Sequence, residues 1–266
     1  MALSAAFVDA HIRDWEARLV GPSFPHRSKW PSRLFHHSPI ENIVRILNSG
    51  QLLSRNDSVN VRARDVAADG IIGLRQEAHE CVRLYFRPRT PTQYHIEGIR
   101  RRTECQAGQD AHAPILVMLL LDARHVLTQP GVQFSDRNMQ RGDRTVGETE
   151  QFFATIPFDK VFHEGGIGTD RSIIAYRCAE VLPVSPFAIR NALHAICCRS
   201  NAERDTLLYL LGHQASIWSN QILVSDDLRV FNKMYAFVRE VSLSQKGLIL
   251  SINPRHDGGT IDLTVK

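Results

Sequence analysis

Residues Ile115–Leu121 read ILVMLLL, seven apolar side chains in succession. A half-buried strand alternates apolar and polar residues, and a surface helix repeats its apolar residues every three or four positions. An unbroken short run fits a fully buried strand at the centre of a sheet. This is also the longest strongly apolar stretch in the chain, far short of the roughly 18 residues a membrane span needs, so no membrane partner is expected. A chain of 266 residues and 30.1 kDa sits near the upper size for one core, which implies one large domain with an appendage or two small domains. With 43% hydrophobic and 23% charged residues, a mainly disordered, collagenous or coiled-coil chain is excluded.

Around the central strand the remaining elements follow from periodicity. Ala6, Val8, Ile12, Trp15 and Leu19 stand at helical spacing. GPSFPHRSKWPSR then reads as a linker or arm. LFHHS is a short strand, after which Ser38 is expected to cap a helix beginning at Pro39. Ile40, Ile43, Val44 and Leu47 form that helix's buried stripe, and Gly50 ends it. VRLYF (82–86) reads as a strand stopped by RPRTP, and strand-like pieces recur at Gly131–Ser135 and Ile173–Val181. ERDTLLYLL (203–211) is a helix ending at Gly212, and Ile222–Ser225 another strand. In the tail, VREVSLS, GLILSIN and TIDLTV alternate, with the last two expected to form a hairpin across PRHDGG. The fold class is α+β: a mixed or antiparallel β core with flanking helices and a small β-rich C-terminal extension.

Five cysteines without a C-x-x-C pair argue against a disulfide scaffold or a zinc knuckle, and the N-terminal residues lack a basic start followed by an apolar block. A cytoplasmic location is expected. The net charge is +4, and between Arg55 and Arg102 the chain carries ten arginines and no lysine. Such a cluster suits planar contacts with phosphates or carboxylates, while interleaved acids such as Asp65, Asp69 and Glu77 make a solvated face with intrachain ion pairs the plainer explanation. No P-loop, zincin, nucleophile-elbow or dinucleotide-fingerprint motif is present, and no histidine pair has metal-ligand spacing, so no metal is expected. Glu180 is the residue that needs explaining. It lies in IIAYRCAEVLPV, a segment apolar nearly throughout, where an ionised carboxylate requires either a function or a tight ion pair such as one with Arg177.

Four stretches together carry a family resemblance: LFHHSPIENIVRILNSGQLLS, HECVRLYFRPRTPTQY, QPGVQFSDRNMQ and YRCAEVLPV. In this order and spacing they resemble the DarT group of nucleic-acid ADP-ribosyltransferases, toxins that attach ADP-ribose from NAD to a nucleobase, over about Leu34 to Ser225. The resemblance implies an ADP-ribosyltransferase domain at 34–228, flanked by an N-terminal helix and arm (1–33) and a β-rich extension (229–266). It implies NAD as co-substrate without a metal, single-stranded DNA or RNA as acceptor, and a cognate antitoxin protein as partner in a toxin–antitoxin or anti-phage module.

The resemblance also distributes roles. Glu180 is the catalytic carboxylate, stabilising positive charge that develops on the ribose as the nicotinamide bond breaks. His36 is expected at the adenosine ribose with Ser38 and Asn42 beside it, Leu52 in the same cofactor-binding set, and Tyr85 near the nicotinamide. Arg64, with Arg62 as the alternative, should contact the NAD diphosphate and help position the acceptor proton. Arg83 stands where the family usually has proline, and segments Arg137–Ile156 and Gly165–Asp170 are where base recognition would differ. The rival expectations are a protein-directed ADP-ribosyltransferase and a catalytically inactive nucleic-acid or NAD-binding module.

Overall fold

The computed structural model describes residues 2–57, 59, 80–105 and 112–261. Arg62 and Arg64 lie outside them. An eight-stranded sheet dominates: β1 (Arg33–Pro39), β3 (Leu84–Tyr85), β4 (Leu116–Asp122), β5 (Gln133–Ser135), β6 (Val146–Gly147), β7 (Glu180–Leu182), β9 (Leu193–Cys198) and β10 (Ile222–Val224). Their order across the sheet is β10-β9-β4-β1-β3-β7-β5-β6, antiparallel except for the β9–β10 pair. Two short pairs stand apart, β2 (Gln51–Leu52) with β8 (Phe187–Ala188) and β11 (Phe237–Ser244) with β12 (Gly247–Asn253). The apolar run is an interior strand of the sheet, third from the β10 edge: Leu116–Leu121 are buried throughout, and β4 pairs with β1 on one side and β9 on the other.

The helix Ile40–Ser49 buries Ile40, Ile43 and Leu47 and closes at Gly50, whose φ of 70° is the left-handed conformation glycine adopts without a Cβ clash. Its first residue differs from expectation. β1 runs on through Pro39, so Ser38 is a strand residue and Pro39 itself takes the cap position. The helix Asn201–Leu211 is capped by Ser200, whose Oγ accepts the Glu203 N–H.

The N-terminal helix, Ala5–Arg18, packs His11 and Trp15 against an aromatic group formed by Phe153, Phe158 and Phe162. From the proline-rich stretch that follows, Trp30 is fully buried. Its indole N–H donates to the Leu228 carbonyl (3.0 Å) and the guanidiniums of Arg87 and Arg89 lie over its ring.

Two expectations change. The stretch 173–181 is a helix (Ser172–Tyr176), a turn and then β7, rather than one strand. In the tail, GLILSIN pairs with residues 237–244 across Gln245 and Lys246, not with TIDLTV, most of which lies outside the described residues. The two-residue connection is the shorter closure and gives the hairpin directly.

Residues 230–237 complete the main core. Val230, Phe231, Ala236 and Phe237 are buried. The buried Glu97 carboxylate accepts the Asn232 N–H and side-chain amide, the Lys233 N–H and the Gln93 amide, at 2.8–3.0 Å. Gly98, at φ 90°, lets the Tyr235 side chain approach so closely that a Cβ would meet it at 2.8 Å.

Candidate active site

β1 delivers His36 and Ser38 to one face, and the next helix brings Asn42 one turn later. Gly50 then reverses the chain so that β2 returns Leu52 beneath them. These four residues, with Ile46 and Leu53, line a cavity of about 340 Å³. That volume lies within the range of small-molecule sites, and Arg45, Ser49 and Gln51 add further polar groups to a lining that mixes polar and apolar side chains.

His36 Nδ1 lies 3.0 Å from the Arg83 carbonyl, which can only accept, so the ring proton resides on Nδ1 and Nε2 is left as an acceptor. Burial holds the His36 imidazole below its ordinary pKa, keeping it in this neutral form. On the neighbouring position, His37 stacks on Tyr85 with ring centroids 5.3 Å apart and planes 15° apart.

Burial, reinforced by His36 and Arg83, lowers His37 to about 3; burial lowers His11 to about 4. Both folded values lie below the unfolded value near 6.5. The unfolded chain therefore takes up protons that the folded chain refuses as pH falls from 6.5 toward these values, and stability present above 6.5 is lost in that window. His37 alone contributes up to about 1.4 kcal/mol per pH unit there. Tm is expected to fall between about pH 7 and about pH 5, and His37→Gln to flatten the slope. A Tm that holds or rises on acidification would contradict this account.

Tyr85 lies directly opposite Glu180 across β3 and β7, and Ser135 opposite Glu180 across β5 and β7. Burial raises the Tyr85 phenol above its ordinary pKa and the Glu180 carboxylate adds to this, so it remains protonated. Glu180 is completely buried. Its Oε1 accepts Arg83 Nε–H (3.0 Å) and a short contact from Arg83 Nη2. Its Oε2 accepts the Met139 N–H at 2.8 Å. Burial pulls the Arg83 guanidinium downward, but the carboxylate beside it more than reverses this and raises it overall.

The SDRNMQ stretch shapes the loop that brings Met139 in. Asp136 Oδ1 accepts the Thr145 N–H (2.8 Å). Asn138 Oδ1 accepts both the Gln140 N–H (2.8 Å) and Arg83 Nη2 (2.9 Å).

The structure thus gathers His36, Ser38, Asn42 and Leu52 on one cavity and sets Tyr85 and Glu180 side by side across adjoining strands. Arg83 joins the two groups, with its carbonyl on His36 and its guanidinium on Glu180. Sequence reasoning missed Arg83, Asn138 and the Met139 amide. The ion-pair partner of Glu180 is Arg83, whereas Arg177 donates to the Gly165 carbonyl. Two complementary oddities could have found the pair: a guanidinium inside the VRLYF strand and a carboxylate inside an apolar strand, each needing the other.

Beside this site Glu164 accepts from Arg87 (3.3 Å) and Arg89 (2.7 Å), and Arg87 also reaches the Val161 and His163 carbonyls. The RPRTP arginines therefore buttress the segment leading into the Gly165–Asp170 loop. Among the described residues no group of three or more His, Cys, Asp or Glu side chains is placed to hold a metal, and no helix is long and apolar enough to cross a membrane.

Among solved structures, the fold is similar to Thermus sp. 2.9 DarT in complex with ADP-ribosylated ssDNA, at TM-score 0.60 and 20% identity over 74% of this chain and 96% of that one. The same protein in complex with NAD+ matches at TM-score 0.54 and 20% identity, over 74% of this chain and 97% of that one. Thermosipho africanus DarTG in complex with ADP-ribose matches at TM-score 0.56 and 18% identity, over 80% of this chain but only 54% of that chain. Comparison with curated proteins gives no match. The family model described as ssDNA thymidine ADP-ribosyltransferase, DarT, matches residues 35–235, so the chain belongs to the DarT family of ADP-ribosyltransferases.

Proposed function

We propose that the protein transfers ADP-ribose from NAD to a nucleobase of single-stranded DNA and releases nicotinamide, with residues 34–228 as the transferase unit. The observation that carries this reading is the fully buried Glu180 carboxylate, fixed at both oxygens and joined through Arg83 to the His36 cavity. Breaking the nicotinamide–ribose bond develops positive charge on the ribose, and a fixed carboxylate stabilises it without reorganising. The neutral His36, with Nε2 free of the proton, accepts from a ribose hydroxyl, and Ser38 and Asn42 add polar contacts on the same wall. Tyr85 packs against the nicotinamide side. Arg64, or Arg62 in the alternative register, contacts the diphosphate and positions the proton that leaves the acceptor base. A base buried in a duplex presents no free edge to the ribose, which favours the single strand as substrate. A neutralising protein partner, in a toxin–antitoxin or anti-phage setting, completes the reading.

The test is incubation with NAD and a thymidine-containing single-stranded oligonucleotide, followed by mass spectrometry of the oligonucleotide and its nucleosides. One added ADP-ribosyl group on a base, with free nicotinamide, is the expected result. Modification of added protein but not of DNA would replace this reading with the protein-directed one, and absence of nicotinamide release would leave only a binding module.

A further inference from the structure

A carboxylate offers roughly four acceptor positions. In Glu180 both positions on Oε1 face Arg83, through Nε and Nη2, and one on Oε2 faces the Met139 amide. The acceptor position without a donor from the described residues is therefore on Oε2. The same guanidinium donates from Nη2 to Asn138 Oδ1 (2.9 Å), which also accepts the Gln140 N–H, and so ties down the loop that presents the Met139 amide. Arg83 thus fixes Glu180 directly on one oxygen and, through the loop, on the other.

The electrical surroundings point the same way. The titratable neighbours that face Glu180 are Tyr85 on β3, Cys178 at the turn before β7 and Cys81 just ahead of β3. Each is held protonated by burial first, with the nearby Glu180 adding to it, so none supplies positive charge. His36 and His37 on β1 are held neutral by burial. Among the described residues Arg83 is the cation in contact with the carboxylate. A carboxylate with no exposure and no counter-charge favours its protonated form. Arg83 keeps a quarter of its side chain exposed, while Glu180 behind it has no exposed surface.

We infer that Arg83 is a positioning residue for the transfer reaction, supplying the counter-charge of Glu180 and turning the carboxylate so that Oε2 meets the ribose. The inference rests on the function proposed above. It separates two roles, charge and fork geometry, that different substitutions remove. Arg83→Gln removes the charge; Arg83→Lys keeps it and removes the two-pronged contact.

The experiment measures kcat, KM for NAD and the pH profile of nicotinamide release in the wild type and both variants, with single-stranded DNA present. Arg83→Gln is expected to lower kcat on the order of 10- to 100-fold with KM changed little, and to move the acidic limb of the profile to higher pH. Arg83→Lys is expected to lower kcat about 10-fold with the acidic limb in place. A role in packing alone would lower Tm and leave the limb where it is. The inference is overturned by an Arg83→Gln enzyme whose acidic limb does not move, or by wild-type kcat in Arg83→Lys. The lysine variant decides the matter if the glutamine variant does not fold. Failure of the functional reading is distinct, since it shows as no nicotinamide release in the wild-type arm.

Discussion

Glu180→Gln is expected to cut ADP-ribose transfer by at least about 100-fold, the usual scale for removing one preorganised electrostatic contact from a transition state. Glutamine keeps the shape of the side chain and an acceptor oxygen but removes the negative charge that would face the ribose. The substitution also leaves Arg83 without its counter-ion. Arg83 is a quarter exposed and retains Asn138 as a partner, so its charge can turn toward water. The loss of stability is therefore smaller than the several kcal/mol typical of a fully buried pair. Nicotinamide release and the mass of the DNA product read the first effect, and thermal unfolding reads the second. Full turnover in a folded Glu180→Gln protein would remove Glu180 from the catalytic role.

The largest effect on stability is expected at Glu97, outside the site. Glu97→Ala removes the acceptor for four donors at once, those of Gln93, Asn232 twice and Lys233, and two of these are main-chain N–H groups. Hydrogen bonds to a charged acceptor are worth about 1.5–3 kcal/mol each, and donors stranded in a buried position cost more than those returned to water. A loss of at least about 3 kcal/mol is expected, which in a chain of this size lowers Tm by roughly 6–12 °C. The cause is that segment 230–237 is no longer held where Val230, Phe231 and Phe237 are buried. Glu97→Gln, which keeps an oxygen, should recover part of the loss. In contrast, Leu243→Ser on the exposed hairpin should be nearly neutral in Tm, because 81% of Leu243 is already in solvent. Equal losses at Glu97 and Leu243 would mean that the tail is stabilised mainly through its hairpin.

The parts of the fold that were legible in the sequence are those where one local signal decides. The run at 115–121 has no polar residue to place on a wet face, and it forms a buried interior strand, third from one edge of the sheet. The stripe Ile40, Ile43 and Leu47, stopped by Gly50, is a helix in the expected place. The segment 173–181 lacks such a signal. Ile173 is buried but its apolar neighbour Ile174 is 42% exposed, so the apolar residues do not mark out one buried face and the period that would distinguish a helical turn from a strand is blurred.

In the candidate site, the residues on the His36 cavity come from one continuous stretch and were found together by resemblance. Arg83 is joined to Glu180 across 97 positions of sequence. Each partner is marked locally by a charge in an apolar strand, but it is the strand order that brings the two together.

That strand order has a mechanical consequence. β3 is two residues long, yet it is the link between β10-β9-β4-β1 on one side and β7-β5-β6 on the other. Its register with β1 is the single pair Phe35–Tyr85 and with β7 the two pairs Leu84–Val181 and Tyr85–Glu180. The His36 cavity is carried by the first half and Glu180 by the second, so the span between them depends on a torsion at this narrow strut. His36 on the Arg83 carbonyl and His37 on the Tyr85 ring act as braces across the joint. A displacement of about 1 Å between reacting groups costs on the order of 100-fold in rate. Substitutions at Phe35 or Leu84 that slacken the joint are therefore expected to detune the reaction by leverage, without touching either end of the span.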